Sequence, residues 1–335
     1  MRHVLVGAGA VGIAYGWYLA AGGEQVAYRV KDKYAAELRA GTNVYFPKKR
    51  GVREPVRFEG YEVITSDDAL GACDVAWLCM SATALRGPWL EPFLAKLGPD
   101  TTLVMLTPGA EDRAYLAARF PAERIVTGLI SLVAWQTPLP GEAPHPDGIA
   151  IWFPPLTKLP FRGEPARAKA VVAAMNGRER VAKYLGPIIP NGSALAGGIL
   201  TTHVAALEGV GWSFSGLRQS SLRKVAAEAA REAIGVLAAH QGDKPPFWRT
   251  FVRAWLVMPA LRFAAWRMPY DFEVYLRYHF TKVRDQTAFS MRELVRLGRQ
   301  HGLPVANIQA IIDAVFQDTA EVAPGAAAGP SRGSS

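Results

Sequence analysis

Cysteine is nearly missing from this chain: Cys73 and Cys79 are the only two in 335 residues. They flank or lie in one expected strand, on the same face and roughly 20 Å apart if it is extended. That separation excludes a disulfide between them, so a reducing, cytoplasmic setting is expected. No apolar run is long enough to span a membrane, and no leader-like segment precedes the first expected strand. No group of His, Cys, Asp and Glu has metal-ligand spacing, so no metal site is expected. The G-x-S-x-G pattern is absent, which removes the usual signal for a serine nucleophile. Acidic residues are outnumbered, 29 against 38 basic ones, for a net charge of +9. The basic residues are spread along the chain, without a basic tract, zinc pattern or RNA-binding motif. The excess therefore suits anionic small molecules and not nucleic acid.

What is present is concentrated at the N-terminus. Residues 2–6 form a short apolar strand, followed by Gly7-Ala8-Gly9-Ala10-Val11-Gly12, an apolar helical stretch to Ala21, and a second strand over 24–28. This is the strand, G-x-G-x-x-G, helix, strand order of a dinucleotide fingerprint. Gly7 permits the tight turn, Gly9 lets backbone approach a pyrophosphate, and Gly12 allows helix to pack on strand; the helix N-terminus offers free N–H groups. At the end of the second strand an NAD site carries Asp or Glu. Here Arg29 stands there, followed by Lys31 and Lys33. A guanidinium matches a 2′-phosphate and cannot replace a carboxylate acceptor, so NADP(H) is the expected cofactor, with Arg29 as the main contact and Lys31 beside it.

The alternation continues with a helix over 32–40, an irregular basic stretch over 43–60 that reads as a solvated loop or hairpin, and a strand at 61–64. Residues 73–80 read as a buried central strand with Ser81 at its C-terminal end, where open α/β sheets bind ligands. Pro88 begins a helix. Residues 101–106 form another buried strand ending at Thr107-Pro108-Gly109, followed by a helix from Glu111 and a strand near 124–130. Residues 131–163 are proline-rich, with an edge strand expected at 149–153. A helix over 164–175 and a strand over 180–184 follow. From Asn191 only helices are expected, over 192–210, 217–241, 246–267, 271–301 and 305–318. The fold class is α/β: a doubly wound, Rossmann-type parallel sheet over 1–185, then an all-helical domain over 191–320. A disordered Ala/Gly/Pro/Ser tail is expected over 323–335.

Gly-Ala-Gly-Ala-Val-Gly with Arg29-Val30, together with the segment from Glu293 to Pro304 and then Asn307, resembles the ketopantoate reductase (2-dehydropantoate 2-reductase) family. The resemblance implies NADPH held between two domains, with Ser81, Thr107 and Pro108 beside the cofactor, and hydride transfer to a carbonyl or imine carbon. It also marks departures. The family has a lysine where Ser81 falls and an asparagine before Gly109, where Pro108 stands. Its catalytic lysine and following asparagine align with Gly198 and Thr202, and its substrate-binding glutamate with Gln286 or Asp285. Glycine can neither donate a proton nor carry charge.

The expected helix over 271–301 offers a replacement. Tyr275, His279, Lys282 and Gln286 recur at helical spacing and would share one face, with Lys282 or His279 as proton donor. The alternative is a solvated or interfacial helix face. His203, on an apolar helix, is a further candidate, although a buried histidine of this kind is more often a hydrogen-bonded core residue. The stretch 246–268 interleaves aromatics with Arg249, Arg253, Arg262 and Arg267. It reads either as core with a dimer or cleft wall, the favoured reading, or as a membrane-surface helix; Pro259 should kink or divide it. The expected function is an NADPH-dependent reductase of a small anionic or carbonyl substrate, with a second copy of the chain as the expected partner in a homodimer. The alternatives are a catalytically silent NADP-binding sensor or scaffold and a true ketopantoate reductase with relocated groups.

Overall fold

The computed structural model describes residues 1–48, 54–107, 111–187 and 194–317. The expected tail over 323–335 and Pro108 lie outside the described residues. The first part alternates: β1 (Arg2–Val6), α1 (Ala10–Ala21), β2 (Gln25–Arg29), α2 (Asp32–Arg39), β3 (Thr42–Tyr45), β4 (Val56–Phe58), β5 (Glu62–Ile64), β6 (Val75–Leu78), α3 (Ala82–Leu85), α4 (Leu90–Ala95), β7 (Thr102–Met105), α5 (Asp112–Ala117) and β8 (Ile125–Gly128). Then come β9 (Val133–Thr137), β10 (Gly148–Trp152), β11 (Leu159–Arg162), α6 (Pro165–Met175) and β12 (Ala182–Tyr184).

The main sheet has eight strands in the order β12-β11-β8-β7-β6-β1-β2-β5. Its portion from β5 to β8 is the doubly wound dinucleotide-binding order. Pairing is parallel throughout except between β8 and β11. β6 and β7 are buried at every residue, which explains their near-continuous apolar sequences. Cys73 and Cys79 flank β6, and both are free. Pro88 precedes α4 by two residues instead of occupying its first turn.

A second sheet of four strands, β4-β3-β10-β9, was not expected. Residues 43–60 thus contribute two strands to it, and β10 lies between β3 and β9 instead of at an edge. The pairing of β10 with β3 joins segments about a hundred residues apart, such as Ile149 with Val44, beyond the reach of local periodicity. Helix α1 packs against β1 and β2 of the main sheet and against β9 and β10 of the second. That placement explains why Gly12 through Leu19 are all buried.

From Ala194 the described residues are helical: α7 (Ala194–Glu208), α8 (Phe214–Gln219), α9 (Leu222–His240), α10 (Ala254–Arg267), α11 (Phe272–Lys282), α12 (Arg284–Gln300) and α13 (Ala306–Val315). Three expected helices differ from these. The one over 217–241 is interrupted at Ser220, whose backbone is extended while its hydroxyl accepts the Leu222 N–H at 3.1 Å; serine competes in this way for helical backbone groups. The one over 246–267 begins as a single 3-10 turn, Phe247–Phe251, before α10. Pro259 lies inside α10 without dividing it.

The third difference bears on the site. Residues 271–301 are two helices, broken at Val283 with φ −117° and ψ 26°. Immediately after the break, Arg284 pairs with Glu208 on α7 and donates to the Val315 carbonyl at 2.7 Å. These long-range contacts hold the chain where an unbroken helix would carry it away. The aromatic stretch 246–268 also departs from the core reading: Phe247, Phe251, Trp255, Phe263 and Trp266 are all exposed.

Candidate cofactor and substrate site

The turn after β1 has the geometry its glycines suggest. Gly7 has φ +101°, a conformation that side chains rarely adopt, and its N–H donates to the Arg29 carbonyl at 3.1 Å. A Cβ on Gly12 would stand 2.1 Å from the Gly7 carbonyl oxygen, so only glycine allows α1 to leave the turn so closely. A Cβ on Gly9 would meet nothing within 4 Å. Gly9 is the N-cap of α1, no side chain caps it, and the first turn contains no acidic residue. The first hydrogen bond across this end is Ile13 N–H to the Gly9 carbonyl at 2.9 Å. The N–H groups from Ala10 to Gly12 thus have no acceptor among the described residues, and the open space beside Gly9 lies at the positive end of the helix, where an anion is favoured. Ala8, Ala10 and Val11 pack partly against the core beneath.

Sheet register gathers further residues at this edge. Val6 pairs with both Arg29 and Leu78, and Leu78 with Met105. The segments leaving β1, β6 and β7 thus emerge side by side. Ser81 caps α3, accepting the Ala84 N–H at 3.2 Å and lying 3.0 Å from the Thr83 hydroxyl. Thr107 is buried, and its hydroxyl has no hydrogen-bond partner among the described residues. A buried hydroxyl left unsatisfied at a ligand-facing strand end suits a site completed by a ligand. These features fit a dinucleotide.

Arg29 is half-buried and engaged. Its Nε donates to Asp67 Oδ1 at 2.9 Å, and a terminal nitrogen donates to Oδ2 at 3.2 Å. The guanidinium also lies 5.8 Å from the centre of the Trp89 ring. Asp67 and Trp89 escaped the sequence reading because neither carries a local signal. Lys31 is the exposed N-cap of α2.

The candidate catalytic residues are only partly brought together. Tyr275 and His279 stack on α11 with ring centres 5.4 Å apart. Burial, with the nearby Lys282 charge, pushes the His279 imidazole below its ordinary value, so the neutral form is favoured. Lys282 donates to Gln136 Oε1 on β9 at 2.5 Å, and its ammonium lies 3.8 Å from the centre of the Tyr278 ring. Tyr278 donates to the same oxygen at 3.1 Å. Gln286 is separate: it lies on α12, beyond the break, so the single face expected for all four residues does not form. His203 is buried on α7, its Nδ1 2.8 Å from the Ile199 carbonyl of its own helix. Burial lowers its pKa, and its Nε2 has no partner among the described residues. At Gly198 a Cβ would lie 3.1 Å from the Ala233 Cβ on α9, so this position serves helix packing. Thr202 bonds to the Gly198 and Ile199 carbonyls of its own helix.

It is α12 that approaches the ends of β6 and β7. Arg86, just after α3, donates to the buried Asp112 at 2.7 Å and lies 5.1 Å from the Phe289 ring centre. Arg296 donates to Glu111 at 2.6 Å. Glu293 sits among these charges. Burial, with Asp112 and Glu111 adding to it, pushes its carboxyl up to about 7 against the opposing pull of Arg86 and Arg296. Its ordinary value is 4.5, so the folded state holds a proton between the two that the unfolded chain has lost. Stability should therefore fall as pH rises from about 4.5 to about 7 and level off above. Glu293→Gln, neutral at every pH, should be the more stable protein near pH 8, by about 3 kcal/mol, and should lose that advantage toward pH 4.5. Thermal melts of both proteins across this range test it; a pH-independent difference would remove Glu293 as the titrating group.

Residues 3–158 match the profile of the family described as Ketopantoate reductase PanE/ApbA. No curated protein matches the sequence significantly. Among solved structures, the 2-dehydropantoate 2-reductase of Geobacter metallireducens is similar at 17% identity and a TM-score of 0.68, over 95% of this chain and 100% of that one. The 2-dehydropantoate 2-reductase of Methylococcus capsulatus is similar at 19% identity and a TM-score of 0.62, over 93% of this chain and 95% of that one. A D-mandelate dehydrogenase bound to NADH and anilino(oxo)acetate is similar at 13% identity and a TM-score of 0.64, over 94% and 97% of the two chains. At these identities the likeness shows a shared fold, with a Rossmann-type N-terminal domain and a largely helical C-terminal region.

Proposed function

We propose that this chain, whose residues 3–158 carry a ketopantoate reductase PanE/ApbA domain, is an NADP(H)-dependent oxidoreductase acting on a C=O or C=N group of a small anionic substrate. That family is one of nicotinamide-dependent oxidoreductases. One observation carries it: the uncapped N-terminus of α1 opening onto free space at Gly9. The reading divides the chain into a nucleotide domain over 1–185 and a substrate domain over 191–320. The backbone from Gly7 to Gly12 would hold the pyrophosphate, and Arg29 and Lys31 the 2′-phosphate. Ser81, Thr107 and Pro108 would border the nicotinamide. Bound NADPH would supply a hydride to the electrophilic carbon.

Lys282 would place a proton on the developing alkoxide or amine, leaving a neutral ammonia-type side chain that water reprotonates. Neutral His279 can accept or donate a hydrogen bond at the substrate, and Gln286 can orient a polar group. A titration with NADPH and NADH, followed by NADPH oxidation against 2-oxo acids, ketones and imines including ketopantoate, tests the whole reading. Absence of binding to either nucleotide would overturn it.

Arg29 sets the expected cofactor preference. Arg29→Ala should weaken NADPH binding about tenfold to hundredfold, the range for charge-assisted hydrogen bonds, and leave NADH nearly unchanged. Because Asp67 competes with a phosphate for the same guanidinium, Asp67→Asn should strengthen NADPH binding. Equal effects of Arg29→Ala on the two nucleotides would remove the 2′-phosphate assignment.

A second reading, a silent NADP-binding sensor or scaffold, draws on the Lys282 ammonium, already tied to Gln136 and Tyr278, and on Gly198, packed against α9. It predicts tight NADPH binding with no turnover of any substrate class in the panel.

A further inference from the structure

The segment from Lys244 to Tyr270 contains five cations, Lys244, Arg249, Arg253, Arg262 and Arg267, and no acidic residue. Apart from Tyr270, which is buried, its aromatic side chains are largely left in solvent by the fold. Trp255 and Trp266 are 72% exposed, Phe263 65%, Phe251 61% and Phe247 82%. At 3.6 residues per turn, Trp255, Leu256, Pro259, Phe263 and Trp266 fall on one arc of α10. Arg262 borders that arc on one side and Arg267 on the other. The opposite side carries Val257 and Met258, which pack inward against the helical core. The helix is therefore anchored by one face and bare on the other, and the 3-10 turn before it also leaves Phe247 and Phe251 exposed.

Charge decides what can cover this face. Arg253 reaches Glu228 at 3.1 Å, and Arg249 packs against Gly235. Lys244, Arg262 and Arg267 are exposed, and none has a carboxylate partner among the described residues. A second copy of the chain docked about a two-fold axis would set these cations against themselves, because such an interface uses the same patch twice. A surface that is both apolar below and anionic above fits better. Tryptophans settle at the headgroup level of a bilayer, phenylalanine enters the acyl boundary, and bordering arginines extend to the phosphates.

We propose that the exposed face of α10, with the turn before it, docks the protein on the surface of an anionic lipid bilayer. No described helix is long and apolar enough to cross a membrane, so the docking is peripheral. It is independent of the cofactor reading, since it uses none of the residues placed in that site.

Flotation of the full chain with phosphatidylcholine vesicles, with and without phosphatidylglycerol, tests the proposal. The protein should float only with the anionic vesicles, less so at high salt, and its tryptophan emission should shift to shorter wavelength. Arg262→Glu with Arg267→Glu should weaken binding about thirtyfold or more, at the usual worth of each cation near an anionic leaflet. Trp255→Ser with Phe263→Ser and Trp266→Ser should abolish it. Unchanged circular dichroism and an unchanged thermal melt would show that both variants remain folded. Failure of the wild type to float, or flotation unaffected by both variants, would overturn the proposal. So would a concentration-dependent dimer in sedimentation that the aromatic variant dissolves, which would assign the face to a second copy.

Discussion

Gly12→Ala is expected to lower NADPH affinity about hundredfold, and Gly9→Ala to lower it comparably for a different reason. At Gly12 the new methyl would stand 2.1 Å from the Gly7 carbonyl oxygen. That oxygen belongs to the backbone and cannot rotate away, so α1 and the turn must separate. Overpacking of this kind costs about 1–3 kcal/mol, paid in stability as well as in binding. At Gly9 the methyl would touch no protein atom, and φ −70°, ψ −178° is open to alanine. The fold should keep its melting temperature, while the methyl occupies the space that the uncapped helix end presents to an anion. A loss of about 3 kcal/mol corresponds to the hundredfold effect. Fluorescence titration with NADPH, beside a thermal melt of each variant, separates the two causes. Full affinity in Gly9→Ala would place the pyrophosphate elsewhere.

Lys282→Met should lower turnover about hundredfold or more, the usual worth of a positioned general acid, and leave NADPH affinity unchanged. The ammonium is held by Gln136 and by the face of Tyr278, so its position is set by β9 as much as by its own helix. Methionine keeps the length of the side chain and removes the proton and the charge. The loss should fall on kcat, because the proton is needed only as negative charge develops at the reacting oxygen or nitrogen. Single-turnover NADPH oxidation with the best substrate of the panel makes the measurement. A wild-type rate in Lys282→Met would remove it as donor and turn attention to His279.

The first thirty residues and the buried strands were legible in the sequence because their signals are local. A residue at positive φ, a glycine under a carbonyl four to five positions away, and continuous apolar runs such as 75–78 each act within one turn or one strand. They are sufficient to specify a doubly wound sheet with an open helix N-terminus at its ligand edge. The helical character of the second half was legible for the same reason.

What local patterning could not decide was where one segment meets another. β3 became an inner strand of a second sheet because β10 pairs with it on one side and β4 on the other. A periodicity that continued smoothly through Val283 was broken there as Arg284 reached Glu208 and Val315, which separated Gln286 from His279 and Lys282. Arg29 was identifiable as a phosphate ligand candidate, but its carboxylate partner Asp67 was chosen by tertiary placement. The alternation of aromatics and arginines over 246–268 describes an amphipathic surface equally well whether it is covered or bare. Only the packing of α10 by its other face left Trp255, Phe263 and Trp266 in solvent. Side-chain spacing fixes which residues share a face; the free energy of covering that face depends on partners supplied by the rest of the chain.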